Sequence, residues 1–410
     1  ATSASCVTGL TVIDVGNQLS WFGKMVLIAL IQIGGLGIMT MTTLVMVIAG
    51  RKVSLRERLF LQESMNQTEI SGVVRIALNI IDSYSHSGRA LNIIKYTLVI
   101  EFFFGTILAA HFAFVKDMGW IGVVYGYWHS VSAFCNAGFD LMGDYKSLID
   151  YHGDIVINLS IALLITLGGL GFMVLEDLKR GWNWERFSLH TKIVLLTSVG
   201  LNVVGTLLLW GFESNNPYTL GNMSMFDSWM AAFFQAVSSR TAGFNTIDLM
   251  HLHDSSLFVL IIWMFIGAGS GSTGGGIKTT TFIVLMASLW YMLKGQRDVV
   301  MFGRRIDEKI VDKSFVITVL CLIWVLFATM MLLVINNGRY PFIDILFEVV
   351  SGFGTVGLGI GITPDWQPFG KWILILTMYI GRIGILTFIL SFLSSGTNKI
   401  RYPSEHINIG

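Results

Sequence analysis

Charge is what this chain has little of: Asp, Glu, Lys and Arg make up 13% of its 410 residues, about half of the roughly 25% found in an average soluble domain. A chain this poor in charge cannot cover itself with a solvated surface. With 53% hydrophobic residues and a mean hydropathy of +0.68, it reads as an integral membrane protein. The net charge of +1 leaves no excess of either sign, so no nucleic acid or acidic partner is indicated. Cysteine is scarce too: Cys6, Cys135 and Cys321 are too few and too oddly numbered for a disulfide framework. The eight histidines form no close metal-ligand cluster, and no signal peptide or cytosolic domain is visible.

Glycine is the one excess, with 44 residues where average usage of about 7% would give fewer than thirty. In a membrane, extra glycine marks close helix packing or non-helical backbone that lines a cavity. A glycine stands seventh in an octet that occurs four times: Ser-Ala-Ser-Cys-Val-Thr-Gly9-Leu, Ser-Ala-Phe-Cys-Asn-Ala-Gly138-Phe, Val-Ser-Ser-Arg-Thr-Ala-Gly243-Phe and Ser-Gly-Phe-Gly-Thr-Val-Gly357-Leu. Copies two to four follow short apolar runs at 121–135, 226–239 and 342–353, too short to cross a core that needs about 20 residues and therefore read as re-entrant. Long apolar runs lie upstream at 90–115, 193–212 and 314–338. Others lie downstream at 25–50, 155–175, 255–293 and 372–394.

The repeated unit is thus span, re-entrant half-helix, loop, span. The expected fold is an all-α membrane protein with four pseudo-fourfold helix–pore-loop–helix units around one central pore, divided at 1–71, 72–190, 191–313 and 314–410. The outer helix of the first unit is expected to be missing from this chain. Each unit enters and leaves on one side, so the four octets share an aqueous compartment. Nineteen of the 27 Lys and Arg lie in 51–95, 179–192, 294–313 and the tail from 399, all on the other side. The positive-inside rule makes those segments cytoplasmic and turns the octets outward. Asp140, Asp144, Asp150 and Asp154 against Lys146 give the outer loops a modest attraction for cations.

A cation that enters a membrane exchanges its hydration shell for fixed oxygens, which backbone carbonyls supply only where the chain is not helical. Glycine permits the required φ and leaves no side chain in the way. Half-helices that end just before each octet would aim their partly negative C-termini at the ion, with Asp227 and Asp344 as caps at two of their starts. The expected filter is Val7, Thr8 and Gly9; Asn136, Ala137 and Gly138; Thr241, Ala242 and Gly243; and Thr355, Val356 and Gly357. Any single octet is as well explained by a tight helix contact, so the weight rests on repetition in one topological place.

A second glycine theme follows each loop but the third: Ile33-Gly-Gly-Leu-Gly37, Leu167-Gly-Gly-Leu-Gly171 and Ile380-Gly-Arg-Ile-Gly384. The third span instead reads Gly267-Ala-Gly269-Ser270-Gly271-Ser272-Thr273-Gly274-Gly275-Gly276-Ile-Lys278. With so few helix formers it should break near mid-membrane, where a loop on the cytoplasmic side of the filter can obstruct the pore. Lys278 is expected to tether that loop to carbonyls of a neighbouring helix. Arg382 belongs in an interior or aqueous path, either as a barrier below the filter or in a salt bridge to Glu348 or Glu101. Glu101 is otherwise free to snorkel toward the cytoplasm. Gly269-Ser-Gly-Ser-Thr-Gly274 also matches a dinucleotide fingerprint, but it follows a transmembrane run and lacks the later acidic residue.

These octets, the glycine-rich break that ends in Gly-Ile-Lys-Thr, and Ile380-Gly-Arg-Ile-Gly resemble the Trk/Ktr/HKT superfamily of potassium transporters, most nearly its bacterial KtrB/KtrD-type membrane subunits. The resemblance runs through the chain to Ile400-Arg-Tyr-Pro. It implies a potassium filter built from octet carbonyls, a gate at 267–278 and a pore arginine at Arg382. It also implies a multi-pass bacterial plasma-membrane homodimer, surrounded by membrane lipid and docked on a cytosolic nucleotide-binding ring of KtrA/KtrC type, with Na+ as a possible activator beside the transported K+. A sodium-coupled secondary transporter with discontinuous helices is the alternative; it would show two inverted repeats. An intramembrane serine hydrolase is disfavoured, because Ala268-Gly-Ser-Gly271 lacks the first glycine of a nucleophile elbow. The chain is therefore not expected to be an enzyme.

Overall fold

The computed structural model describes residues 1–37, 93–296 and 298–390. Its regular structure is almost entirely helical. In chain order the helices are α1 (Thr2–Ser5), α2 (Val15–Gln18), α3 (Trp21–Leu36), α4 (Ile93–Val115), α5 (Gly119–Phe134), α6 (Ile155–Leu170), α7 (Phe172–Lys179), α8 (Leu189–Glu213), α9 (Met225–Ser238), α10 (Asp254–Phe265) and α11 (Thr279–Leu293). A two-stranded hairpin, β1 (Val300–Met301) with β2 (Arg304–Arg305), leads to α12 (Glu308–Asn336), α13 (Phe342–Gly354), α14 (Pro368–Ile383) and α15 (Ile385–Leu390).

Among the described residues α4, α8 and α12, of 23, 25 and 29 residues, are each long and apolar enough to cross a membrane. The short helices α5, α9 and α13 lie at the expected re-entrant runs and pack between the spans. Serine and aspartate fix where many helices begin. The Asp154 carboxylate accepts from Ile157 N at 3.1 Å and starts α6, and it also takes His111 Nε2 at 2.8 Å and Lys116 Nζ at 2.7 Å from the π-helical end of α4. Asp227 and Asp344, expected as caps, are not. Ser224 caps α9 by accepting from Asp227 N at 3.1 Å, while the Asp227 carboxylate accepts from Ser224 Oγ at 2.7 Å. α13 starts at Pro341 without a side-chain cap.

The spans after the loops are less continuous than their hydropathy suggests. α6 and α7 meet at a bend of 102°, so the run expected at 155–175 is broken. The joint is Gly171, at φ 97° and ψ 147°, a region essentially reserved for glycine. Gly37 ends α3 at φ 83°, ψ 132° and Gly384 ends α14 at φ 93°, ψ 132°. The last glycine of each Gly-Gly-Leu-Gly-like theme therefore ends a helix with similar dihedrals, and at Gly171 this breaks the span, whereas the sequence points to a break in the third span alone. The rest of the 25–50 run, the basic 51–92 segment and the tail with Ile400-Arg-Tyr-Pro lie outside the described residues.

Candidate functional site

The half-helices end inside the octets, not before them, and the way they end shapes the loops. In the first, second and fourth copies, Val7, Asn136 and Thr355 take φ of 57°, 58° and 49°. Their N–H groups donate to Ala4, Ala133 and Gly352 carbonyls at 3.1, 3.0 and 3.2 Å, and the next residues, Thr8, Ala137 and Val356, donate to Ser3, Ser132 and Ser351 carbonyls at 2.8, 2.8 and 2.9 Å. This paired closure is the Schellman motif, which normally has glycine at the left-handed position. β-branched Val7 and Thr355 in that position are strained by about 1–3 kcal/mol each, and the octet serines help to hold them. Ser3 Oγ and Ser351 Oγ accept from Gly9 N and Gly357 N, both at 3.1 Å, and Ser132 Oγ accepts from Phe139 N at 3.1 Å.

The third loop closes differently. Its octet begins with Val237, and both Ala242 N and Gly243 N reach the Ser238 carbonyl, at 2.9 and 3.4 Å. Thr241 still has a positive φ, 80°. Asn136 and Thr241 are joined through the side-chain amide and Oγ1 at 3.0 Å, a bond kept in either orientation of that amide.

The four octet glycines face one another. A Cβ added to Gly9 would lie 2.8 Å from the Ala137 carbonyl oxygen and 3.2 Å from Gly357 Cα. On Gly138 it would lie 2.6 Å from the Ala242 oxygen, on Gly243 against the Val356 oxygen, and on Gly357 against the Thr8 oxygen. Each glycine thus abuts the carbonyl just before the next loop's glycine, and the fourth returns to the first. The cycle leaves no room for side chains, and φ values of 102°, 67°, 82° and 92° exclude them again on conformational grounds.

The second glycine theme explains how spans come so close behind the loops. A Cβ on Gly34, Gly168 or Gly381 would strike the carbonyl of Ser5, Phe134 or Phe353, respectively, in each case the last-turn carbonyl of a half-helix. Below these contacts runs the segment 267–278. Gly267 N donates to Ile277 O at 2.8 Å and Thr279 N to Ala268 O at 3.1 Å, which closes its neck. Gly269 N and Thr273 N donate to Gly169 and Gly168 carbonyls at 2.8 and 3.2 Å, and Thr273 Oγ1 donates to Phe134 O at 3.1 Å. Gly275 N donates to Thr355 Oγ1 at 3.0 Å, and Gly276 N to Gly381 O at 3.3 Å. A Cβ on Gly274 would meet Thr241 Oγ1. The segment therefore touches the undersides of the second, third and fourth loops.

Ser270 and Gly271 sit apart from that contact, at the bend between α6 and α7, where Phe172 N donates to Gly271 O at 3.0 Å. Ser272 Oγ donates to Gly269 O at 2.6 Å. Lys278 Nζ reaches Gly274 O of its own segment at 2.6 Å, not a neighbouring helix. Arg382 pairs with neither expected carboxylate. Its guanidinium donates to the Thr273 and Gly34 carbonyls and so ties the segment to the first unit's span. Glu348 accepts from Ile360 N at 3.3 Å and from Thr363 Oγ1, and Glu101 does not snorkel: it is 4% exposed and accepts from Gln32 Nε2 at 3.2 Å.

A cavity of about 40 Å³ is lined by Gly9, Thr11, Asp14, Gly138, Asp140 and Tyr145, among others. Asp140 is half-buried there, and burial, with the Asp14 charge nearby, pushes its carboxyl up to about 6. Asp14 escaped the sequence reading, as did Arg240; the signal for Arg240 was an arginine inside an otherwise uncharged octet.

A family model described as TrkH, cation transport protein, matches residues 1–400. Ktr system potassium uptake protein B of Bacillus subtilis (strain 168) is 41% identical over 411 residues, 100% of this chain and 88% of the relative. The protein of the same name in Vibrio alginolyticus is 38% identical, over 100% and 87%. Potassium/sodium uptake protein NtpJ of Enterococcus hirae is 34% identical, over 100% and 88%. The crystal structure of the potassium transporter TrkH from Vibrio parahaemolyticus matches 95% of this chain and 76% of its own with a TM-score of 0.68 at 20% identity, a likeness of fold.

Proposed function

We propose, from the premise that this chain belongs to the TrkH family of cation transport proteins, that it is a potassium-uptake subunit with a filter made by the four octet loops. The observation that carries the reading is the closed cycle in which each octet glycine abuts the next loop's carbonyl. Such a cycle offers oxygens from four directions at a spacing fixed by backbone contact, which is what a dehydrated monovalent cation requires. Filter ligands are Val7, Thr8 and Gly9 with their counterparts in the other three loops. Four pseudo-fourfold units, divided at 1–71, 72–190, 191–313 and 314–410, surround the single pore.

In this reading residues 267–278 are the gate. The segment lies under three loops, and Arg382 clasps it through the Thr273 carbonyl. Opening exchanges its hydrogen bonds for water or for contacts in another arrangement, each worth about 0.5–1.5 kcal/mol net. A cytosolic partner can therefore control the pore by a differential affinity of a few kcal/mol for the two states. The names of the Ktr relatives fit a membrane subunit of a larger system. The protein works as a homodimer on a nucleotide-binding ring, with Na+ as an activator. The glycine helix ends at Gly37, Gly171 and Gly384, the second of which bends its span by 102°, are the feature that favours the sodium-coupled transporter with discontinuous helices. They recur with similar dihedrals after three of the four loops, where inverted repeats would give two.

Rubidium uptake into proteoliposomes, with potassium or sodium as competitor, tests the function. Uptake suppressed by potassium and not by equal sodium supports the filter. Strict dependence of uptake on a sodium gradient would sink it in favour of coupled transport. Removing residues 270–275 should raise uptake without any cytosolic partner.

A further inference from the structure

Arg240 occupies the place in the third loop, three residues before the glycine, that Cys6, Cys135 and Gly354 hold in the others. It is 8% exposed. Its guanidinium reaches only α8: one terminal nitrogen donates to Ser198 O at 3.3 Å and Asn202 Oδ1 at 3.4 Å, and the other to Ser198 Oγ at 3.4 Å. Nε is buried without a partner, and among the described residues no carboxylate forms an ion pair with it. Beside it a void of about 10 Å³ touches Ser198, Asn202, Thr166 and Ala268. That is room for about one water.

The third loop is also the one that lacks both the Schellman closure and a serine at the first octet position. Its neighbours close on their half-helices through that motif; this loop closes on the Ser238 carbonyl of its own half-helix and is pinned sideways to a span as well. A planar fork with five donors can hold two carbonyl-type oxygens and a hydroxyl at once, which a lysine ammonium cannot do in the same plane. The cost is a full positive charge directly behind filter backbone, in a medium that screens it weakly.

We propose that Arg240 is a positioning residue of the potassium filter: its tether to Ser198 and Asn202 sets the third loop, and its unneutralised charge holds down the filter's cation affinity. The proposal rests on the filter reading above. It separates two properties, shape and charge, that different substitutions change independently.

The test is rubidium uptake by the full chain in proteoliposomes, scored for half-saturation and for potassium-over-sodium preference. Arg240→Lys keeps the charge and loses the fork; preference should fall about tenfold with no gain in affinity. Asn202→Asp keeps the fork and places a carboxylate on it; half-saturation should drop roughly tenfold, the order expected for cancelling a nearby unit charge at an effective dielectric near 20, with preference retained. Arg240→Gln should show both changes. Wild-type preference in Arg240→Lys, or unchanged half-saturation in Asn202→Asp, overturns the proposal. Should Arg240 variants fail to assemble, Asn202→Asp still decides the charge. A wild-type protein without potassium preference would instead remove the filter reading itself.

Discussion

Replacing the octet glycines one at a time by alanine should produce a graded series and not four equal losses. At Gly9, φ is 102°, so an L-residue is strained by about 1–3 kcal/mol. The new methyl would stand 2.8 Å from the Ala137 oxygen, where carbon–oxygen contacts normally settle at about 3.3–3.6 Å. The first and second loops must then part by roughly half an ångström at a point where oxygen spacing decides which ion is held. A loss of 1–2 kcal/mol in discrimination is about a 5- to 30-fold fall in potassium preference. Gly138 is tighter, at 2.6 Å from the Ala242 oxygen and 2.9 Å from Gly243 Cα, and at Gly243 and Gly357 the neighbouring carbonyl is closer still. Gly9→Ala should therefore retain flux with relaxed preference, Gly138→Ala should be intermediate, and Gly243→Ala and Gly357→Ala should abolish flux. Rubidium influx at matched protein density, competed by potassium and sodium, reads the series. Equal effects at all four positions, or a milder Gly357→Ala than Gly9→Ala, would refute the cyclic-contact argument.

Alanine at Gly34, Gly168 or Gly381 drives a methyl into a half-helix carbonyl and should cost at least about 2 kcal/mol, in the range for overpacking, seen as a lower Tm in detergent. The same change at Gly200 or Gly211 of α8, where a Cβ meets nothing within 4 Å, should be neutral or stabilise by up to about 1 kcal/mol. Arg382→Gln removes the donors from the Thr273 and Gly34 carbonyls and should raise partner-independent rubidium uptake; unchanged uptake would argue against a clasp. Asp140, with its carboxyl at about 6, should be ionised at pH 7.5 and protonated at pH 5. Half-saturation for rubidium should rise as outside pH falls through 6, and Asp140→Asn should flatten that dependence. The stability linkage has the opposite sign: with the folded-state value raised, this group favours the fold at low pH and loses that contribution as pH rises through about 6.

Hydropathy and repetition place the helices α4, α5, α8, α9, α12 and α13 within a few residues because burial in lipid is a property of local composition. Helix ends, by contrast, are set by single residues. Hydropathy cannot distinguish a straight apolar run from one bent by 102° at Gly171, since the bend depends on a single glycine's dihedrals. It also assigned caps to Asp227 and Asp344 by position, when Ser224 stood three residues ahead to take the first role. Arg382 and Lys278 stand out in the sequence as charges inside apolar stretches, but their partners do not. Both bind backbone carbonyls, which every residue carries and no sequence singles out.

The sequence by itself determined that this is a membrane protein, and which small residues recur along it, because those follow from composition and spacing along one chain. Only the tertiary structure decided what the small residues are for. That Gly9 faces Ala137, that Gly34 backs Ser5, and that the third loop hangs on α8 through Arg240 are contacts between segments far apart in sequence. Their tolerances are fractions of an ångström, set by the packing of spans and half-helices as a whole.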